Sequence, residues 1–291
     1  MAALELPVAL QQLSLGALWN LAEGLRFVRD NVQPALLAQD EVATPGVSEQ
    51  WRSFLTREGL VRQALSLATG LELASIRGGA RAPEAFRAHW EGLGFVAHLS
   101  RDGTPADDYL DALFLTSRLS IVSSDSPLAN VNLASRAARV ADFLSVAAPG
   151  RSDVVFDLGS GSGKLALTVA ASSVATVQGV ELLESAVDDA NGSAVALGLQ
   201  NVTFHRADVR DVDLSAGSVF YLYFPFRGEV ASSVAATLGA LARQKDITVY
   251  ASGPLRDYGE YFAREVEQGA FRPLQRRGEF DEVFVLHSAR G

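Results

Sequence analysis

The sequence contains no cysteine. That absence excludes disulfide frameworks, thiolate metal sites and cysteine nucleophiles. Histidine is scarce as well: His89, His98, His205 and His287 are scattered without ligand spacing, so no metal site is expected. Positive charge is also in short supply. The formal net charge is −9, divided as −3 up to residue 140 and −6 beyond it. Nucleic-acid phosphates attract clustered lysine and arginine, and no basic run is present, so a nucleic-acid partner is not expected. The nearest cluster, Arg272, Arg276 and Arg277, reads as the solvated turn of a strand pair. Long apolar runs are missing too. Nothing reaches the ~18 residues of a membrane-spanning helix. Met1 to Pro7 lacks a basic n-region, and Glu5, Gln11 and Gln12 interrupt the apolar stretch there, so no signal peptide is expected and a cytoplasmic location is the default.

What is present falls into two textures. Up to about residue 118 the pattern is helical. Leu10, Leu13, Ala17, Leu18, Leu21, Leu25 and Val28 recur at spacings of three and four and predict one helix face. A second helix is expected from a Ser48 N-cap through Leu71, ending at Gly78-Gly79, a third near Pro83 to Glu91, and a fourth from Asp107 to Leu119 with acidic residues in its first turn. After the Ser123–Pro127 loop, a helix from about Ala129 to Val146 leads to the turn Ala148-Pro149-Gly150. From there short apolar runs alternate with helical segments. The runs are Asp153–Asp157, Thr176–Glu181, Val202–Arg206, Ser218–Phe224 and Ile247–Ala251, and the alternation predicts a parallel sheet covered on both faces. Phe271–Gln275 and Glu282–His287 are too close for a crossover helix and should pair antiparallel.

The first run ends in Asp157-Leu158-Gly159-Ser160-Gly161-Ser162-Gly163, followed by a helix. Glycines in such a turn let a ligand approach the backbone, and the following helix N-terminus favours an anion. A phosphate-binding P-loop fits poorly, because Leu158 and Leu165 stand where its first glycine and its magnesium-binding hydroxyl belong. A dinucleotide turn is weakened because Lys164 occupies its third glycine. Phe156 to Gly163 instead resembles the first motif of class I S-adenosylmethionine-dependent methyltransferases, with the acidic residue ending the strand before the glycines. Gly179-Val180-Glu181-Leu182 and Ala207-Asp208-Val209 likewise place acidic residues at the ends of the next two strands. A more distant likeness is to a lysine methyltransferase family with the same Asp-Leu-Gly-Ser-Gly and Gly-x-Glu.

The resemblance covers about residues 126 to 288. It implies an α/β fold, a Rossmann-like seven-stranded methyltransferase sheet with an antiparallel C-terminal strand, preceded by an α-helical N-terminal domain. The expected division is a helical substrate or lid domain over 1–125 and an S-adenosylmethionine-binding domain over 126–291. The implied cofactor residues are Asp157 for the ammonium, Gly159, Ser160, Gly161 and Gly163 in a loop whose amides face the ligand, Glu181 and Leu182 at the ribose, and Asp208 and Val209 at the adenine.

The fourth run ends Tyr223-Phe224-Pro225-Phe226. In amino-group methyltransferases this position resembles [Asp/Asn/Ser]-Pro-Pro-aromatic, and here only Pro225 and Phe226 match. Tyr223, Pro225 and Phe226 are the candidate catalytic residues, with the Ser124–Pro127 loop expected nearest the cofactor. Methyl transfer to a neutral amine needs chiefly positioning and desolvation, so the reading leans to N-methylation of a small molecule or a protein side chain. A small-molecule O-methyltransferase is the alternative within the class. Outside it stand an NAD(P)-dependent oxidoreductase and a non-catalytic, ligand-binding module of the same fold.

Overall fold

The computed structural model describes residues 6–38, 45–77, 82–96, 103–114, 135–223, 225–253, 259–272, 275–277 and 282–289. Five helices come first: α1 (Val8–Gln11), α2 (Leu15–Ala38), α3 (Pro45–Arg77), α4 (Pro83–Gly92) and α5 (Pro105–Phe114). The first periodic stretch is therefore two helices rather than one. They are divided at Gln12–Ser14, where the Ser14 hydroxyl accepts from the Ala17 amide at 3.3 Å. The buried stripe of α2 is Leu15, Leu18 and Ala22, whereas Leu13, Leu21 and Val28 are exposed. Periodicity located the helix but missed which apolar residues face inward, because the neighbours decide that. Ser48 lies inside α3, not at its cap.

Helix α5 is capped by reciprocal contacts. The Thr104 hydroxyl accepts from the Asp107 amide at 3.1 Å, while Thr104 donates its own hydroxyl to the Asp107 carboxylate at 2.9 Å. The expected extension of this helix to Leu119 falls outside the described residues. The next helix, α6, spans Ala137–Ala147 rather than starting near Ala129; Arg136 is its extended N-cap, and residues 129–134 lie outside the described part. It stops at Ala148, whose φ of 40° is left-handed, just before Pro149.

A seven-stranded sheet follows, with β1 (Val154–Leu158), β2 (Thr176–Glu181), β3 (Val202–Arg206), β4 (Val219–Tyr223), β5 (Thr248–Gly253), β6 (Gln275–Arg277) and β7 (Glu282–His287). Helices α7 (Lys164–Ser172), α8 (Glu184–Leu197), α9 (Gly228–Ala242) and α10 (Glu260–Glu267) connect its strands. The order is β3-β2-β1-β4-β5-β7-β6, and β7 runs antiparallel to both β5 and β6. Arg276 and Arg277 belong to β6 rather than to a turn. Reversal of the strand order between β1 and β4 opens a crevice beyond the carboxyl ends of the strands, where open α/β sheets place ligands.

Strand alternation separates two cores. Val155, Val219, Tyr221 and Tyr250 join Phe143 of α6 and most of α7, while Phe156, Leu158, Phe220, Leu222 and Val249 join Val230, Val234 and Leu238 of α9. The first core also takes in Phe86 and Trp90 of α4 with Tyr109, Leu110 and Leu113 of α5. Trp90 is fully buried and donates its indole N–H to the Ser172 hydroxyl at 3.2 Å. No helix among the described residues is long and apolar enough to cross a membrane.

Candidate active site

The strand ends and the glycine loop bound one cleft. Gly159, Val180, Glu181, Leu182, Ala207, Asp208, Val209, Arg210, Pro225, Phe226 and Val230 line it. Residues expected separately from the loop, two strand ends and the segment after β4 thus meet in one place. Asp157, 4% exposed, is not part of that lining: it pairs in register with Tyr221, and both it and Tyr223 stand on the α6 face of the sheet. Phe224 and the Ser124–Pro127 loop lie outside the described residues.

The loop glycines do something other than present amides. Gly159 and Ser160 both donate to the Val180 carbonyl, at 2.8 and 3.0 Å, and Gly163 donates to the Ser160 carbonyl at 2.9 Å. Gly161 donates to the Glu181 carboxylate at 2.9 Å. These four N–H groups are therefore engaged within the chain, contrary to the expectation that they face a ligand. What the glycines provide is conformation and closeness. Gly159 has φ +81°, and a Cβ built there would lie 2.2 Å from Pro225 Cβ. The tight turn leaves the Ser160 hydroxyl without a partner among the described residues.

Glu181 closes this turn. Its second carboxylate oxygen accepts from the amides of Leu182 and Leu183 at 2.8 and 2.9 Å. Asp208 is held differently, by a residue that sequence reading did not single out. Arg210 donates from Nε and a terminal nitrogen to the two Asp208 oxygens at 2.9 and 2.6 Å, and its amide adds a bond of 2.9 Å. This clasp, through the guanidinium hydrogen bonds first, then the Arg210 amide and the guanidinium charge, outweighs partial desolvation and pulls the Asp208 pKa below the ordinary value. The spacing Asp-Val-Arg was the only local signal for it.

Lys164 explains its own presence in place of a dinucleotide glycine. Its ammonium turns away from the loop, is 3% exposed, and contacts Asp111 at 2.6 Å and Asp107 at 3.1 Å. Both acids come from α5, so the acidic first turn attributed to the helix dipole is part of a buried ion network. Asp107 also accepts from the Ala137 amide at 2.8 Å, which ties the start of α6 to the same point.

Asp157 has no such counter-charge among the described residues. Burial, with the negative charge of Glu181 adding to it, pushes its pKa up to about 7 against an ordinary 3.8, although the Ala166 amide donates to it. The sign of the consequence follows from linkage. A carboxyl that keeps its proton in the folded chain but loses it near 3.8 when unfolded stabilises the fold at low pH. That contribution is complete below 3.8 and is lost as pH rises through about 7. Asp157→Asn removes the slope. Between pH 5 and pH 8 the wild-type melting temperature is expected to fall relative to that of the variant, and parallel curves would show that Asp157 is ionised throughout.

Residues 155–243 match the methyltransferase domain family. No curated protein matches the sequence. Among solved structures, the chain is similar to an RNA methyltransferase from Salinibacter ruber in complex with S-adenosyl-L-homocysteine, with 23% identity, a TM-score of 0.44, and coverage of 55% of this chain and 95% of that one. It is also similar to a precorrin-6y C5,15-methyltransferase from Geobacter metallireducens, with 14% identity, a TM-score of 0.44, and coverage of 59% and 98%. A third is a SAM-dependent O-methyltransferase from Thermotoga maritima, with 14% identity, a TM-score of 0.41, and coverage of 54% and 67%. The family match runs from β1 through α9 and across every strand end that bounds the cleft, so the sheet carries a methyltransferase domain.

Proposed function

We propose that this S-adenosylmethionine-dependent methyltransferase transfers the methyl group to an amine nitrogen of a small molecule or a protein side chain. The charge of the cleft is the observation that carries the cofactor side of this reading. Glu181 and Asp208 line the cleft, while the basic residue among the lining, Arg210, is clasped to Asp208, which leaves Glu181 as the uncompensated charge of the lining. Such a site favours a ligand with net positive charge, and S-adenosylmethionine carries an ammonium and a sulfonium against one carboxylate. A dinucleotide pyrophosphate would enter with two negative charges and meet carboxylates. The partnerless Ser160 hydroxyl is a further polar group that a ligand could satisfy.

In this reading Asp157 takes up the ammonium, and the approach of that charge draws the Asp157 proton away. Glu181 accepts from the ribose hydroxyls through lone pairs that its backbone donors leave over. Asp208 and the Val209 amide meet the adenine, with Arg210 fixing the Asp208 carboxylate. The cofactor, when bound, supplies an electrophilic methyl on sulfur. The chain's remaining task is to exclude water and to align a neutral amine, which positioning alone accelerates strongly. Pro225 and Phe226 contribute apolar wall beside Gly159, and the helices before residue 115 cover the α7 face of the same strands.

Calorimetric titration tests the cofactor assignment. S-adenosylmethionine and S-adenosylhomocysteine are expected to bind and NADH not to. Tighter binding of NADH than of S-adenosylhomocysteine would overturn it.

A further inference from the structure

The described residues enclose a second cavity, of about 480 Å³, and no residue lines both it and the cofactor cleft. That volume lies within the roughly 300–1,000 Å³ that small-ligand sites occupy. Its walls come from the start of α2, from α3, from the end of α4 and from the first turn of α5. Small residues open it. Gly16 lets α2 close on α5: a Cβ there would lie 3.2 Å from the Tyr109 nitrogen and 3.3 Å from Asp108 Cβ. Ala17 follows at once and lines the cavity with a single methyl, so the space that a larger side chain would fill stays open. Leu15, Leu93 and Pro105 complete an apolar wall.

The polar part of the lining is one-sided in charge. Glu72 and Asp108 contribute to it, and no lysine or arginine does among the described residues. The Tyr109 hydroxyl donates to Glu72 at 2.6 Å, and the His89 ring meets the Tyr109 ring edge-on at 5.0 Å. A carboxylate offers about four lone-pair sites, so one that already has protein partners can still accept from a ligand. Two neutral groups lie on the α2 side. The Ser14 hydroxyl accepts from the Ala17 amide at 3.3 Å and keeps its own proton to donate, while the Asn20 side-chain amide has no hydrogen-bond partner among the described residues. An anion entering this cavity meets two carboxylates and no base. A cation with an apolar body meets acceptors at one end and hydrocarbon at the other, which offsets the loss of its water.

We propose that this cavity is a second ligand site, separate from the cofactor cleft, that takes a small organic amine. The ammonium is held at Glu72 and Asp108, and the apolar body lies against Leu15, Ala17 and Leu93. The site stands independently of the methyl-transfer reading, because cleft and cavity have no lining residue in common. An amine bound there bridges α2, α3 and α4 to α5, the helix whose Asp107 and Asp111 hold Lys164 beside the glycine loop. Only the folded chain has this cavity, so binding raises the melting temperature.

The test titrates the full chain calorimetrically with three probes of similar shape: 2-phenylethylamine, 2-phenylethanol and 3-phenylpropionate. The amine is expected to bind about tenfold more tightly than the alcohol, and the propionate not to bind. Saturating S-adenosylhomocysteine should leave the affinity for the amine within about twofold. Ala17→Leu fills the cavity and should abolish amine binding. Glu72→Gln keeps an acceptor for Tyr109 but loses the charge, and should weaken the amine by about tenfold. Both variants should keep a single cooperative melting transition, which separates a lost site from a collapsed fold. Propionate binding as tight as that of the amine, no binding of the amine, its displacement by S-adenosylhomocysteine, or amine binding unchanged by either substitution would each overturn the proposal.

Discussion

Lys164→Met is expected to cost the fold about 3–5 kcal/mol, because it leaves two carboxylates buried without their cation. Asp107 and Asp111 are 2% and 0% exposed, and both touch the Lys164 ammonium. Asp107 shows how the network works. Burial acts to raise its pKa, yet the charge of Lys164 and the donors from Ala137 and Thr104 outweigh burial and hold it below the ordinary value. A pKa held down means stability that is present above 3.8 and lost as pH falls through the lower, folded value. Without the lysine that relation reverses, so the penalty should grow as pH rises. For a chain of this size the loss corresponds to a melting-temperature drop on the order of 10 °C. Lys164→Met combined with Asp111→Asn should recover part of it, since coupled groups are not additive. A loss of under about 1 kcal/mol would mean that methionine simply repacks the site. Because Lys164 follows Gly163 at once, affinity for S-adenosylhomocysteine should fall along with stability.

Gly159→Ala is expected to have the larger effect on the cleft itself. Two costs coincide there. The φ of +81° is a left-handed conformation, worth about 1–2 kcal/mol against any L side chain, and the new methyl would sit 2.2 Å from Pro225 Cβ. Overpacking adds roughly 1–3 kcal/mol more. Loop and proline line the same cleft, so relief of the overlap moves one wall of it. Affinity for S-adenosylhomocysteine is expected to fall by about a hundredfold, which is close to 3 kcal/mol. Gly192→Ala is the control: it lies in α8 with nothing within 4 Å of a new Cβ, and should raise stability by up to about 1 kcal/mol through helix propensity. Unchanged affinity in Gly159→Ala would show that Pro225 is free to move and is not part of the binding wall.

The two variants also mark what could be read from sequence and what could not. Strand-ending carboxylates and glycines in a turn are local signals, so the sequence pointed to Gly159, Glu181 and Asp208, which line one cleft, and to the seven strands and most helix limits within a few residues. The choice of partner is not local. Nothing in Lys164-Leu165 points to α5, whose Asp107 lies 57 positions away, and Asp107 read equally well as a dipole-compensating acid. Arg139 over Tyr223 and the clasp of Arg210 on Asp208 were missed for a related reason: an arginine in a predicted helix or loop is ordinarily solvated, and only packing shows otherwise. The apolar face of α2 was misjudged because a helix with leucines on several sides takes its inward face from its neighbours.

The placement of β7 has a consequence for how the chain is assembled. Glu282–His287 comes after β6 in sequence but lies between β5 and β6. Until it is made, Thr248–Gly253 presents an unpaired edge of Val249, Tyr250 and Ala251, and β6 has no neighbour to dock on. During synthesis the growing sheet therefore ends for some time in an apolar, hydrogen-bond-hungry strand, the kind of edge that recruits other chains. The segment from Asp257 to Glu267, with four acidic residues and one arginine, is made in that interval, and like charge of this kind opposes contact between two bare edges.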